Sequence, residues 1–160
     1  FDGIGECFSN DNGHSWHSPR KSHIDGPCSR FFIRRLKSGR LLMINHYQFQ
    51  QRIDLDDIMQ QGNVKSWKGR SHLTAMLSED DGQTWPYTLL LDERNEVSYP
   101  DAKEADDGYI YVSYDWERVT QREILMAKFT EQDILDGCIS SPEAKLKVLV
   151  NKALGQPDIH

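Results

Sequence analysis

The octet SEDDGQTW, residues 78–85, repeats a pattern that first occurs as SNDNGHSW at residues 9–16. Both have the form Ser-x-Asp-x-Gly-x-x-Trp, and two such matches are not expected by chance from average residue usage. The Asp carboxylate is suited to accept backbone N–H groups of its own loop. The Gly permits a positive φ, and the Trp is expected to bury its ring between sheets. The octet therefore predicts a braced turn, and its recurrence predicts a repeated structural unit.

A second repeat alternates with the octets and has the composition of a β-hairpin. Residues 31–47 and 100–116 each contain a strand-like run, a tight Gly-containing turn and a second apolar strand. Residues 71–77 and 88–92 are strand candidates on either side of the second octet, and residues 122–129 are the equivalent third strand of the next unit. This order describes four-stranded antiparallel blades, and the predicted fold class is an all-β, partial β-propeller.

The domain organisation follows from counting these units. Residues 1–20 give the tail of one blade, 28–91 a full blade and 97–129 three strands of another. Fewer than three blades cannot close a ring, so we expect the chain to be the C-terminal part of a larger propeller. Its exposed blade edges are expected to favour self-association. A small autonomous β-sandwich is the alternative.

Helical segments are predicted at two places outside the strands. The partial propeller is assigned to residues 1–135 and a C-terminal helical tail that packs on it to residues 136–160. Helix is predicted for TEQDILDG and for SSPEAKLKVLVNKAL, in which Ser141 is a cap and Pro142 the first helical residue. QRIDLDDIMQQG, residues 51–62, is predicted to be a helical insertion in the middle blade.

The composition excludes several classes of protein. The 160 residues are 38% hydrophobic and 28% charged, typical of a globular chain, and the net charge of −6 argues against a nucleic-acid or membrane-surface binder. No apolar run approaches the roughly 18 residues of a membrane helix. Cys7, Cys28 and Cys138 lack metal-ligand spacing. No metal or cofactor is predicted, and the acids at 54, 56 and 57 are interpreted as part of the helical insertion.

The octets resemble the Asp-box, or BNR repeat, of the sialidase superfamily, and the resemblance covers the chain to about residue 135. It implies a six-bladed propeller with the Asp-boxes at turns between third and fourth strands, on the face away from the substrate. The resemblance then implies that these octet side chains are scaffold: Asp11, Trp16, Asp80, Asp81 and Trp85. It also implies a glycoconjugate substrate and favours a secreted or periplasmic location.

Strand direction separates the two ends of each blade. Because antiparallel strands alternate, the Gly turns and Asp-boxes share one end, and the starts of first and third strands share the other with the ends of second strands. Polar residues gather at this second end, which is where a polar ligand is expected to bind. They include Arg30, His46, Arg70, His72, Tyr99, Asp101, Asp115, Trp116 and Arg118.

Two of these residues match the sialidase pattern. Arg70 stands where the family places the last of three arginines that bind the substrate carboxylate, a role suited to its planar, charged fork. Tyr99 stands near the position of the family's nucleophilic tyrosine, which requires a neighbouring base. The alternatives are a surface Arg paired with an acid, and a Tyr that only fills a strand.

Two acids depart from the family pattern. Asp115 stands where the family usually has a Glu that braces another arginine, and Asp101 follows Tyr99 where Ser is more common. They therefore leave open a carboxylate pair that acts on a different sugar.

The remaining candidates have weaker signals. Arg30 and Arg118 are candidate substrate-binding residues, and His46 and His72 are candidate donors to sugar hydroxyls. Trp116 is expected either to stack on a sugar or to pack between blades.

Three functional hypotheses remain from the sequence. The first is a retaining, sialidase-like exo-glycoside hydrolase; the second is a carbohydrate-binding propeller without catalysis; the third is a hydrolase for another, uronic-type sugar that uses Asp101 and Asp115. The family's first arginine, its acid/base Asp and the Glu that activates Tyr are expected in preceding blades. We therefore expect the 160-residue chain alone to be inactive as a glycosidase.

Overall fold

A computed structural model describes residues 3–47 and 69–155 of the chain. The chain divides into two compact units, of which the first contributes residues 3–28 and 69 to the description and the second residues 29–47 and 70–155. The predicted helical insertion at residues 51–62 lies outside the described residues, as do its acids at 54, 56 and 57.

The first unit contains a short antiparallel strand pair around the first octet. Strand β1 (Gly5–Glu6) pairs with β2 (Arg20–Lys21). Arg20 Nε donates to Glu6 Oε1 at 2.8 Å across the pair. The octet of residues 9–16 thus connects two antiparallel neighbours, as predicted.

The second unit is built from two four-stranded antiparallel sheets. The first sheet has the order β3-β4-β5-β6 and the second β10-β9-β8-β7. The strands of the first sheet are β3 (Phe32–Arg35), β4 (Leu41–His46), β5 (Leu73–Ser78) and β6 (Tyr87–Asp92). Those of the second are β7 (Val97–Glu104), β8 (Tyr109–Trp116), β9 (Glu123–Thr130) and β10 (Lys145–Lys152). The predicted blade pattern of consecutive antiparallel strands is confirmed.

One apolar core joins the two sheets of the second unit. Strand β5 is buried along its whole length, and β7, an edge strand of its sheet, contacts β3 and β4 of the other sheet. Alternate residues of both sheets enter the core, because side chains on a strand point to opposite faces in turn. The core includes Leu42, Ile44, Leu73, Leu77, Leu89, Leu91, Val97, Ile110, Val112, Leu125 and Phe129.

The second octet is a turn braced by one carboxylate. It connects β5 to β6, the third and fourth strands of their sheet, as the Asp-box resemblance implies. Asp80 Oδ1 accepts from Ser78 Oγ and from Thr84 N, both at 2.8 Å, and Asp80 Oδ2 accepts from Thr84 Oγ1 at 2.6 Å. Gly82, with φ of 86°, donates its N–H to Ser78 Oγ at 2.8 Å.

The first octet repeats this geometry. Asp11 accepts from Ser9 Oγ and Ser15 N at 2.8 Å and from Ser15 Oγ at 2.6 Å, the distances found in the second octet. Gly13 has φ of 89°, close to the 86° of Gly82, a region that L-residues rarely adopt. The two octets are therefore the same turn, and their Asp residues serve the scaffold.

The tryptophans of the two octets differ in burial. Trp16 is 62% exposed, so the expectation that its ring is buried between sheets is wrong. Its Nε1 donates to Gly13 O at 3.2 Å, which folds the indole back over its own turn. Trp85 is half-buried, with its ring beside Gly82.

The C-terminal region contains one predicted helix and one error. Helix α1 (Glu131–Asp136) lies within TEQDILDG, as predicted, and has a capping box between Thr130 and Asp133. The helix predicted over SSPEAKLKVLVNKAL is wrong, because Lys145–Lys152 forms β10 and pairs antiparallel with β9. The second sheet therefore has four strands rather than three, and it crosses the domain boundary predicted at residue 135.

The edge of β9 explains this error. Leu146 and Val148 alternate with exposed lysines, which suits a half-buried strand as well as a helix face. The otherwise unpaired backbone groups of β9 decide between the two, because pairing satisfies them.

The bracing hydrogen bonds also set the acidity of the octet carboxyls. Hydrogen bonds from the Thr84 side chain and backbone and from Ser78 lower the pKa of Asp80 from 3.8 to about 2. Hydrogen bonds from Ser15 and Ser9 do the same for Asp11. Since the folded-state pKa is the lower one, the carboxylate stabilises the fold above pH 3.8, and this contribution is lost as the pH falls toward about 2.

We predict that Asp80→Asn lowers the urea midpoint of unfolding at neutral pH, because the amide replaces one acceptor oxygen of the brace. The difference in urea midpoint between wild type and Asp80→Asn should become smaller as the pH falls from 3.8 toward about 2, because the wild-type carboxylate becomes protonated in this range. The measurement is urea unfolding followed by tryptophan fluorescence.

Asp81→Asn is the matched control. Asp81 is the next residue, and its exposed carboxylate forms a surface pair with Arg35 at 2.7 Å, an interaction of small value. Equal midpoints for the two variants across this pH range would contradict the bracing role of Asp80.

Candidate functional site

The polar end of the second unit lies opposite its turns. Strand β5 begins just after Arg70-Ser71-His72 and runs toward the second octet, while β4 ends at His46. Strand β7 begins at Val97 and β8 ends at Trp116, paired directly with each other. The predicted site residues of the second unit therefore lie at the strand ends away from the Gly turns and the second octet, as strand alternation requires.

A bulge in β7 presents Tyr99. Ser98 pairs with Asp115 and Asp101 with Ser113, so Tyr99 and Pro100 together lie opposite one residue of β8. Tyr99 has φ of 56°, the left-handed region, which costs an L-residue about 1–2 kcal/mol. Its side chain is 42% exposed. A bulky residue held in this conformation and open to solvent marks a candidate functional position.

Two guanidinium groups lie against the Tyr99 ring. Arg118 Cζ is 3.9 Å and Arg70 Cζ is 5.5 Å from the ring centroid, both within cation–π range. Arg70 is only 5% exposed, whereas Arg118 is exposed. Two positive charges beside one accessible phenol create a local potential that attracts an anion.

A carboxylate and a hydroxyl orient Arg118. Asp115 Oδ2 accepts from Arg118 Nη2, and Asp115 Oδ1 accepts from Ser98 Oγ at 2.6 Å. Arg118 Nη2 also lies 3.4 Å from Ser98 Oγ. Asp115 thus braces an arginine, the role that the family resemblance gives to a Glu, and the arginine is three residues along the same chain segment.

Asp101 has a different partner. Its Oδ2 accepts from Arg30 Nη2 at 3.4 Å, and both side chains are more than half exposed. Asp101 Oδ1 accepts from Ala102 N at 3.0 Å. In the described residues Asp101 and Asp115 therefore belong to separate hydrogen-bonded groups, each with its own arginine.

The two histidines lie near Arg70. His46 is 1% exposed, and its Nδ1 donates to the Ser71 carbonyl at 3.0 Å while Nε2 lies 3.4 Å from Ser29 Oγ. His72 is half-buried, has φ of 52°, and its Nδ1 lies 3.2 Å from Ser71 Oγ. The structure places His46 as a buried link to the segment that carries Arg70, rather than at the surface.

A buried network behind the site was not predicted from the sequence. Asp92, 0% exposed, accepts from Arg94 Nη2 at 2.6 Å, Arg94 Nε at 2.9 Å and Tyr114 Oη at 3.0 Å. Arg94 Cζ lies 4.0 Å from the Trp116 ring, and Trp116 Nε1 donates to Asn95 O at 3.1 Å. The loop before β7 is thereby tied to the end of β8, on either side of Asp115.

The charges in this network are fixed by opposing effects. Burial raises the pKa of Asp92, but hydrogen bonds from Arg94 and the charge of that guanidinium lower it by more, so the net pKa is below its usual range. Burial, followed by the charge of Asp92, raises the pKa of Tyr114 well above its ordinary value, so its hydroxyl remains a donor. The Trp116 ring lies on the Arg94 guanidinium and against the apolar core. Of the two roles expected for Trp116, stacking on a sugar or packing within the protein, the structure shows packing.

The described part of the chain contains neither a cluster of metal ligands nor a membrane-spanning helix. In residues 3–47 and 69–155, no group of three or more His, Cys, Asp or Glu side chains is placed to hold a metal ion. None of the helices in the described part of the chain is long and apolar enough to cross a membrane.

The fold and the site define an antiparallel, blade-built β protein with a cationic, tyrosine-containing end. A sequence model of the BNR repeat-like domain matches residues 3–112, more than two thirds of the chain. The chain belongs to this family of sialidase-type repeats, as the octets predicted. No curated protein and no solved structure matches the chain.

We predict that Asp92→Ala destabilises the protein by about 3 kcal/mol, because it leaves the partly buried Arg94 guanidinium and the Tyr114 hydroxyl without their acceptor. Urea unfolding measures the change. Glu93→Ala is the control, since the adjacent Glu93 pairs with Lys147 at the surface and its loss should cost less than about 1 kcal/mol. A loss for Asp92→Ala no larger than for the control would show that the network contributes nothing to stability.

Proposed function

We propose that this chain carries a substrate-binding site of a sialidase-like exo-glycoside hydrolase that removes terminal acidic sugars from glycoconjugates. The observation that carries the proposal is the exposed Tyr99 phenol, raised on a left-handed bulge, with Arg118 and Arg70 against its ring. Membership of the sialidase-type repeat family supports the reaction class.

Recognition is proposed to depend on the two arginines. A guanidinium is planar and permanently charged, and it binds a carboxylate through two parallel hydrogen bonds. Arg70 is largely desolvated, so less water competes for its hydrogen bonds. Arg118 is oriented by Asp115 and Ser98, which reduces the conformational entropy lost on binding.

Tyr99 is proposed as the nucleophile of a retaining reaction. Its phenol oxygen would attack the anomeric carbon as the bond to the leaving oxygen breaks, and water would later hydrolyse the resulting aryl glycoside, which releases the sugar and restores the phenol. A neutral phenol suits an anomeric carbon next to a carboxylate, where an anionic nucleophile would be repelled. The nearby guanidiniums favour the negative charge that develops on the phenol oxygen.

The base for this step is not supplied by the described residues. Tyr99 Oη makes no hydrogen bond to any residue within 3–47 or 69–155. The resemblance assigns the base to a Glu of a preceding blade, and for this reason the proposal assigns binding and the nucleophile, but not proton transfer, to the described residues.

The carboxylate-pair alternative receives less support from the geometry. Asp115 is engaged by Ser98 and Arg118, and Asp101 by Arg30, so each acid already neutralises a guanidinium. The other alternative, a carbohydrate-binding domain without catalysis, shares the same recognition residues and differs only in the role of Tyr99.

We predict that Arg118→Ala weakens binding of the methyl glycoside of N-acetylneuraminic acid about 10- to 100-fold, the loss of charge-assisted hydrogen bonds. The measurement is isothermal titration calorimetry on the 160-residue chain. The methyl ester of the same sugar, which lacks the negative charge, should bind poorly to wild type and lose little in the variant.

Arg35→Ala is the matched control for this experiment. Arg35 lies at the other end of β3 and binds Gly39 O and Asp81, so its removal should leave sugar binding unchanged. Equal binding of acid and ester by wild type, or equal losses for Arg118→Ala and Arg35→Ala, would reject carboxylate recognition at this site.

The catalytic step is tested in the native protein, as it is isolated from the organism that produces it. Tyr99→Phe should abolish turnover of an aryl sialoside while carboxylate-dependent binding persists, and Asp101→Asn should retain turnover. The reverse result would select the carboxylate pair. Sugar binding with no turnover by wild type would select the binding domain.

A further inference from the structure

Asp115 links the two strands that supply the candidate site. At the end of β8 it accepts from Arg118 Nη2 and from Ser98 Oγ, and Ser98 is its pairing partner on β7. Arg118 belongs to the loop that follows β8, while Tyr99 belongs to the bulge of β7. The contact between the Arg118 guanidinium and the Tyr99 ring therefore depends on how the end of β8 is held against the start of β7.

Two aromatic side chains hold the backbone of Asp115 from the other face of β8. Tyr114 and Trp116, its neighbours along the strand, point away from Asp115, because successive side chains of a strand alternate between faces. Tyr114 is 2% exposed, and Trp116 packs against the apolar core. The position of this strand end is therefore set by the groups that the two rings contact.

Both rings contact a single ion pair. Arg94 donates to the fully buried Asp92 carboxylate at two points, from Nε to Oδ1 at 2.9 Å and from Nη2 to Oδ2 at 2.6 Å. Tyr114 Oη donates to Asp92 Oδ2 at 3.0 Å. Arg94 Cζ lies 4.0 Å from the centroid of the Trp116 ring. A guanidinium held by two hydrogen bonds has little freedom to rotate, so its planar face is a fixed support for the indole.

The indole also joins this pair to the strand that bears Tyr99. Trp116 Nε1 donates to Asn95 O at 3.1 Å, and the backbone of Trp116 pairs with Val97 at the start of β7. Loss of the support that Arg94 gives to the indole is therefore expected to shift the end of β8 relative to β7.

We propose that Arg94 is a positioning residue of the candidate site. It holds the Trp116 ring, and through this ring the strand end at Asp115, so that the Arg118 guanidinium stays against Tyr99. The inference rests on the proposed function, because Arg118 is the arginine proposed to bind the substrate carboxylate. It adds that carboxylate recognition depends on a residue on the opposite face of β8, which acts through Asp115 rather than through contact with the sugar.

The first test follows the position of Arg118 by NMR, without any sugar. The Arg118 guanidinium lies 3.9 Å from the Tyr99 ring centroid, so the ring current should move the Arg118 Hε resonance upfield, and Tyr99→Leu should abolish this shift. Arg94→Met removes the guanidinium but keeps an unbranched side chain, and it should remove most of the upfield shift. Arg94→Lys, which retains a cation beside Asp92, should preserve it.

Trp116→Leu breaks the same contact from the other side. It leaves the Asp92–Arg94 pair intact and therefore avoids a buried carboxylate without a partner. The Arg118 Hε resonance should lose its upfield shift in this variant as well. Urea midpoints check that every variant remains folded.

Arg40→Met is the matched control. The Arg40 side chain is 32% exposed, close to the 29% of Arg94, and it also pairs with acids, Glu79 at 2.7 Å and Glu131 at 2.9 Å. It lies at the turn end of the first sheet, between β3 and β4. Its loss should lower the urea midpoint and leave the Arg118 Hε resonance unchanged.

The second test asks whether Arg94 affects sugar binding through Arg118. Calorimetry on the 160-residue chain should show that Arg94→Met binds the methyl glycoside of N-acetylneuraminic acid about tenfold more weakly than wild type. In the Arg118→Ala background, Arg94→Met should cause no further loss, because effects that pass through one residue are not additive. The loss of a positive charge by itself would weaken binding equally in both backgrounds.

The two tests separate the positioning role from the proposed function. An Arg118 Hε resonance without an upfield shift in wild type, or one that is unchanged in Arg94→Met and Trp116→Leu, overturns the positioning role and leaves the proposed function intact. An equal change in Arg40→Met, or equal losses of affinity with and without Arg118, has the same consequence. Absence of sugar binding by wild type overturns the proposed function, and with it the role of Arg94 in recognition.

Discussion

The arrangement of the sheets depends on carboxylates that accept hydrogen bonds from the donors of a corner, the connection between the third and fourth strands of a sheet. Asp80 does this between β5 and β6 through Ser78 and Thr84. Asp133 does the same between β9 and β10, where it accepts from the backbone amides of Ser140 and Ser141. Although burial raises the pKa of Asp133, hydrogen bonds from the backbone amides of Thr130, Ser140 and Ser141 lower it by more, so the carboxylate stays charged. Different local sequences thus fix the third-to-fourth corner of each sheet by the same physics.

Fixing these corners has a consequence at the other end of the sheets. With the turn ends held, the starts of β5 and β7 and the ends of β4 and β8 meet at one rim, and the buried core between the sheets maintains their spacing. Polar residues at that rim need no local turn sequence of their own. The rim therefore accommodates functional side chains such as Tyr99 and Arg118 without loss of the scaffold.

Local sequence predicted most of the fold because its signals were local. The octets, the Gly turns and the helix after Thr130 each contain their own hydrogen-bonding partners within a few residues. Strand β10 was mistaken for a helix because Leu146, Val148 and Leu149 fit both periods. Only the edge of β9, more than fifteen residues earlier in the chain, decides between them.

The site was predictable by position but not in its contacts. Strand alternation predicted that Arg70 and Tyr99 lie at the same end of the sheets. In the structure, Arg70 Cζ is 5.5 Å from the centroid of the Tyr99 ring. The Asp92–Tyr114 hydrogen bond joins residues 22 apart, and neither residue type signals it alone. The left-handed backbone of Tyr99 was equally hidden, because Tyr rarely adopts it and Gly or Asn would have been its usual indicator.

That backbone conformation sets stability against activity at one residue. Glycine at position 99 would relieve roughly 1 kcal/mol or more of conformational strain, although it would also gain freedom in the unfolded chain. It would at the same time remove the aromatic ring on which both arginines rest. Selection of thermostable mutants alone therefore has no reason to retain this tyrosine, and its persistence among natural relatives would measure how strongly ligand chemistry, rather than folding, constrains the bulge.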